Sequence, residues 1–267
     1  MASTAGPRNG FDLGRVIQHA FGAIRHNAAS FALLALLLAG VPALISTVGA
    51  MGLLGRLVTA GGGAAPDPRA LGAGAALTGA GGLISLVANA VLQGAIIYGS
   101  ASYLNGRAAS FGDCLGAGLR RCLPLLGLMV LMVMALAVGF LFFIVPGVMM
   151  GVAWIAATPA LVVERTGVFG AFSRSAELTR GRRWPIFGLL FLSFVAISIV
   201  HQVFINLFGA AFEAATPQVR LLNQLPISAA FGVITSVLVS AGVAAIYYEL
   251  RVTREGIGPE AMAAVFD

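Results

Sequence analysis

Residues 122–163 read CLPLLGLMVLMVMALAVGFLFFIVPGVMMGVAWIAATPALVV, a run of forty-two without one Asp, Glu, Lys, Arg or His. About 20 apolar residues in a helix suffice to cross roughly 30 Å of hydrocarbon. The run is too long for one span and long enough for two. Pro146-Gly147 lies near its middle. Proline removes a helical hydrogen bond and the pair favours a tight turn, which predicts spans over 123–145 and 147–163.

The same reading extends outward. Charge-free stretches at 27–55, 70–106, 184–212 and 221–248 are separated by short charged segments. They predict further spans at about 28–54, 80–104, 184–212 and 225–248, six in all within a transmembrane domain of residues 28–250. Apolar residues make up 59% of the chain and charged ones 10%, against about 45–50% and 25% in soluble domains. Val48-Gly49-Ala50 resembles a small-residue cleavage site, but a long polar segment precedes an apolar run longer than a signal peptide needs. The run is read as a retained first span.

Three charged segments carry helical periodicity. In Asp12–Asn27, the residues Leu13, Val16, Ile17, Ala20, Phe21 and Ile24 share one face, with Arg15, Gln18, His19, Arg25 and His26 opposite. This pattern suits a helix lying in the membrane interface, or one docking on a soluble partner. Ser110-Phe111-Gly112-Asp113 has the form of a capping box with Asp replacing Glu, followed by a face of Phe111, Leu115, Leu119 and Cys122. Phe169, Phe172 and Ala176 mark the third segment, whose amphipathicity Leu178 and Arg180 interrupt. The resulting architecture is all-α and integral to the membrane: three hairpins, each preceded by a short amphipathic interfacial helix. Phe111-Gly112 and Phe169-Gly170, with Arg-x-x-Pro at Arg121–Pro124 and Arg182–Pro185, suggest that the unit is repeated.

All 16 basic residues are Arg. Placing the N-terminal segment 1–27, residues 105–121 and 164–183, and the tail 251–267 on one side collects 13 of them, against Arg56, Arg69 and Arg220 on the other. That bias predicts a multi-pass membrane protein with both termini cytoplasmic. Arginines between apolar runs suit anionic headgroups and give no nucleic-acid face. Arg15, Arg25, Arg120, Arg121, Arg174, Arg180, Arg182 and Arg183 are the candidate headgroup contacts. Glu164 with Arg165, and the run that follows, are placed to recognise phosphate or simply to retain a loop in the cytoplasm.

Val145-Pro146-Gly147, Trp154, Pro159, Glu164, Gly167, Ala171, Arg174-Ser175, Leu178-Thr179-Arg180-Gly181 and Trp184 together resemble the membrane domain associated with bacterial glycerophosphoryl diester phosphodiesterases. That domain also occurs alone. Tyr247-Tyr248-Glu249-Leu250-Arg251 is similar to its closing segment. The resemblance implies the membrane architecture in a bacterial inner membrane, with Trp154, Glu164, Ser175, Thr179 and Gly181 as motif residues. It implies no hydrolysis, because that chemistry belongs to a separate barrel with a His-Arg-Gly motif absent from this sequence.

The sequence offers no catalytic or metal constellation. His19, His26 and His201 are scattered, Cys114 and Cys122 have no metal-ligand companions, and no cofactor is expected. Central portions of the spans lack Asp, Glu, Arg and Lys, which removes most proton relays. Asn89, Gln93, His201 and Asn206 remain as polar positions that either line a cavity or bond between helices. His201 falls roughly 25 Å along its span from Trp184, near the far interface. Pro146, Gly147 and Pro159 are candidate hinges or static kinks, and Gly147 with Gly151 forms a GxxxG. These features point to a non-enzymatic module that scaffolds or regulates an envelope or lipid process, with a membrane-protein partner or a second copy. The alternative is a transporter or flippase for a lipid or small amphiphile.

Overall fold

A computed structural model describes residues 11–60, 68–209 and 217–255. The glycine-rich loop around Gly61–Gly63, and most of the predicted tail, lie outside them. Helices account for nearly all of the described chain, and no strand occurs among the described residues. Six helical segments are long and apolar enough to cross a membrane: Ala28–Arg56, Leu71–Leu104, Cys122–Phe142, Ile144–Glu164, Arg183–Gly209 and Gln224–Glu255. The chain has an all-α, multi-pass membrane fold.

Helix α1 (Leu13–His26) begins where the Asp12 carboxylate accepts from the Gly14 and Arg15 amides at 2.8 and 3.4 Å, satisfying donors that a first turn otherwise leaves open. Asn27 breaks it, and α2 (Ala28–Ala35) starts at once. A π-helical turn, Leu36–Gly40, joins α2 to α3 (Val41–Ala60). It stands just before Pro42, where widened helical geometry accommodates the missing amide. The second span is the long α4 (Pro68–Leu104). Gly49 and Gly81 let α3 and α4 touch closely: a Cβ at Gly49 would lie 2.7 Å from the Thr78 nitrogen, and one at Gly81 2.8 Å from the Ser46 nitrogen. Such small residues allow dispersion contacts between backbones where lipid removes the hydrophobic drive.

The second unit opens with α5 (Phe111–Arg120), held by the Ser110–Asp113 capping box, and continues into α6 (Cys122–Phe142). The reversal of chain direction differs from expectation. It occurs at Phe143, which is extended at φ −161° and ψ 145°, and α7 (Ile144–Ala153) already contains Pro146 and Gly147. Proline in a first turn loses nothing, because those amides have no helical acceptor. Gly147 instead serves the hairpin, since a Cβ there would sit 2.8 Å from the Phe140 ring.

Span four is interrupted at Trp154–Ala156 and resumes as α8 (Ala157–Glu164), with Pro159 again in the first turn. Helix α9 (Gly167–Thr179) leads to the last hairpin, α10 (Arg183–Gly209) and α11 (Pro217–Glu255).

In each hairpin the second span lies deeper. The apolar windows of spans two, four and six are 50, 44 and 33% buried within the protein, and those of one, three and five 22, 17 and 11%. The outer helices carry large exposed side chains such as Leu141, Phe194 and Leu207, a belt suited to acyl chains. The interfacial helices meet two environments at once. In α1, Val16 and Ala23 are buried while Leu13, Ile17 and Phe21 face outward. In α9 the buried line is Ala171, Ser175 and Leu178, and the predicted face residue Phe169 is 78% exposed. The buried lines thus mix small residues with Val16 and Leu178, while the largest exposed side chains, Phe21 and Phe169, face away.

Candidate functional site

The charged segments gather at one end of the bundle. Glu164, at the end of α8, accepts from Arg174 Nε at 2.8 Å and from the Tyr247 hydroxyl at 2.7 Å. Arg174 also donates to Glu255, and Arg251 Nε donates to Glu255 at 2.9 Å. Arg251 Nη1 donates to the Tyr247 hydroxyl at 3.3 Å, and Arg251 Nε lies 3.8 Å from Glu164. Two carboxylates and two guanidiniums therefore close a ring joining α8, α9 and α11. Burial works against the Arg174 charge, but hydrogen bonds to Glu164 and Glu255 outweigh it and hold the pKa above its ordinary value.

A second latch ties α1 to α11. Arg15 Nε and Nη2 donate to the buried Glu249 carboxylate at 3.0 and 2.6 Å. The hydrogen bonds to Glu249 raise the Arg15 pKa, and Asp12 adds to the effect. Arg15 and Arg174 thus depart from the expected headgroup role: each turns toward carboxylates that the apolar surroundings could not leave unpaired. Arg182 donates to Thr253 Oγ1, and the Arg180 carbonyl accepts from Arg254 at 2.7 Å. Arg183 is half-buried, whereas Arg25 is exposed.

Three of the motif residues, Trp154, Ser175 and Thr179, meet at the interruption of span four. Ser175 Oγ donates to the Ala153 carbonyl at 2.8 Å and accepts from the Ala156 amide at 3.1 Å. Thr179 Oγ1 lies 3.2 Å from the same carbonyl. These hydroxyls replace the helical partners lost at Trp154–Ala156, and Trp154 packs edge-on against Phe172 at 4.9 Å. Gly181 adopts φ 81° where α9 turns into α10, a left-handed geometry that favours glycine. The break beside Pro159 is therefore a hydrogen-bonded joint.

No family model, curated protein or solved structure matches this chain.

The polar span residues do not converge. Asn89 Nδ2 donates to Ser85 O of its own helix at 2.8 Å, and Gln93 is half-buried four residues on. His201 stacks on Phe231 at 4.6 Å, while Gln202 donates to Asn206 at 3.3 Å on an exposed face. Neither of two cavities at the protein surface is lined by these four. One, of about 440 Å³, is an apolar groove among α1, α10 and α11. The other, of about 590 Å³, lies among α4, α5, α6 and α8 and is lined by Arg120, Arg121 and Arg165.

Sequence reasoning missed Glu249, Arg251 and Glu255 as members of the site. Glu249 and Arg251 belong to the closing segment Tyr247–Arg251, where the resemblance gives them no role, and Glu255 lies just beyond it. Their signal is spacing: Tyr247, Arg251 and Glu255 recur every four residues and so share one helical face.

Proposed function

We propose that this chain is a non-enzymatic module of the bacterial inner membrane, with both termini cytoplasmic, that scaffolds or regulates an envelope or lipid-related process. We read it as a stand-alone form of the membrane domain it resembles in sequence, in contact with anionic headgroups and with a membrane-protein partner or a second copy. The observation that carries this reading is the ring of Glu164, Arg174, Arg251 and Glu255, which fastens α8, α9 and α11 together at the Arg-rich end. By sequence, 13 of the 16 arginines fall in the segments read as lying on one side of the membrane, which supports a cytoplasmic assignment for that end. The pairing of Asn89 within its own helix further favours a closed bundle.

A transporter or flippase is the second reading, favoured by the interruption of span four and the apolar groove beside α1. Reconstitution into liposomes with fluorescent phospholipid distinguishes the two. The scaffold reading expects equal leaflet exchange with and without protein; acceleration by the protein would replace it with the transporter reading.

A further inference from the structure

The cavity among α4, α5, α6 and α8 has an unusual charge balance. Arg120 and Arg121 end the amphipathic α5 and begin span three, and Arg165 follows the last residue of span four. All three sit beside the ends of apolar spans. Asp113 is the carboxylate on the lining, and its Oδ2 accepts from the Ser110 amide at 3.0 Å and hydroxyl at 2.7 Å. Three guanidiniums against one capping carboxylate leave a net positive pocket.

Two observations show that these arginines are held there at some cost. Arg121 Nη1 is buried with no hydrogen-bond partner, an arrangement that proteins seldom tolerate without a ligand or a compensating group. Burial and repulsion by Arg165 lower the Arg121 pKa, where pairing would have raised it. Arg165 itself has φ 57°, a left-handed backbone that suits glycine and strains an arginine. A glycine at 165 would complete the end of α8 without strain, so the guanidinium is present for something other than the turn.

We propose that this pocket binds a phosphate group at the membrane boundary, clasped by Arg120, Arg121 and Arg165. Planar guanidiniums match phosphate oxygens in paired hydrogen bonds, and a phosphate would satisfy Arg121 Nη1 and screen its repulsion by Arg165. Gly116 lines the pocket with open space where a Cβ would be. Tyr98 of span two and Leu161 of span four form its inner wall. The volume of about 590 Å³ accommodates a headgroup. The phosphate belongs either to an anionic lipid or to a soluble phosphate ester; only the lipid source rests on the membrane reading above.

The full chain, purified in detergent, tests both sources. Native mass spectrometry would count retained phosphatidylglycerol against phosphatidylcholine, and calorimetry would follow inorganic phosphate and glycerol 3-phosphate. The variants are R165G, which removes the guanidinium and relaxes the backbone, and R121Q, with R25Q as an exposed control. Wild type should bind at least one probe, and R165G and R121Q should each weaken it about tenfold, the worth of a lost charge-assisted contact. R25Q should bind as wild type. Phosphatidylglycerol retention assigns the lipid source, and binding of the soluble probes alone assigns the soluble one. Undiminished binding by folded R165G, an equal loss in R25Q, or no binding of any probe by wild type would overturn the proposal.

Discussion

Two groups of arginines stand at the same end of this bundle and differ in what surrounds them. Arg174 and Arg251 are matched by Glu164 and Glu255, two carboxylates for two guanidiniums. Arg120, Arg121 and Arg165 share a cavity whose one carboxylate is engaged in capping α5. Both groups satisfy the positive-inside pattern equally well, so that pattern does not distinguish them. The difference is in the partners: a matched arginine fastens helices, whereas one left with a buried open donor keeps its interaction for something else.

Glu164→Gln should produce the largest break in this comparison. It removes the charge that Arg174 and Arg251 share and weakens the bond from Tyr247. Breaking a largely buried pair from one side costs about 3 kcal/mol, which should appear as a lowered unfolding temperature in nanodiscs. The double variant with Arg174→Gln should lose less than the sum of the two single changes, because they cut the same bond.

Ser175→Ala attacks the joint beside the ring. The Ala153 carbonyl would keep Thr179, but the Ala156 amide would lose its side-chain acceptor. A buried donor left open costs about 1–3 kcal/mol. Hydrogen exchange should rise first at Ala156 and then in the first turn of α8, leaving α5 unaffected.

Ser110→Ala acts on the cavity side and should cost about 1 kcal/mol as a lost cap. Hydrogen bonds from Ser110 hold the Asp113 pKa below its ordinary value. The folded-state pKa is the lower one, so this contribution is complete above the unfolded carboxylate range near pH 4 and fades as pH falls through the folded value. Exchange protection of α5 amides should therefore weaken in acid in the wild type and change less in the variant.

Burial also pushes the Cys114 thiol up to about 11, with Asp113 adding to the effect. Cys122 is partly exposed. At pH 8 a thiol reagent should label Cys122 before Cys114, and equal rates would show that α5 does not seat against α4.

Much of the fold was legible in the sequence because lipid imposes a coarse rule: charges cannot enter the hydrocarbon, so their spacing along the chain counts the spans. The six apolar segments followed directly. Element ends did not. Pro146 reads as a break but fits a first turn, and the reversal falls at Phe143, which has no breaker in its side chain. The interruption at Trp154–Ala156 depends on Ser175 and Thr179, about twenty residues away, which no local pattern reveals. Arg15 reads as a headgroup contact until Glu249, 234 residues later, is seen beside it. Faces were legible in type but not in assignment. The periodicity of α1 and α9 picks out Leu13, Ile17, Phe21 and Phe169, which point outward, as well as Val16, which packs inward, while Ala23 and Ala171 on the buried lines are not picked out.

The contrast between the two arginine groups is tested most directly by the unfolding temperatures of R174Q and R165G, measured side by side in the same nanodiscs. R174Q should unfold several degrees below wild type, at about 2–4 °C per kcal/mol for a chain of this size. R165G should unfold at or slightly above the wild-type temperature, because glycine relieves the left-handed backbone at that position. A loss in R165G as large as that in R174Q would contradict the account, since both groups would then be fastenings of the fold.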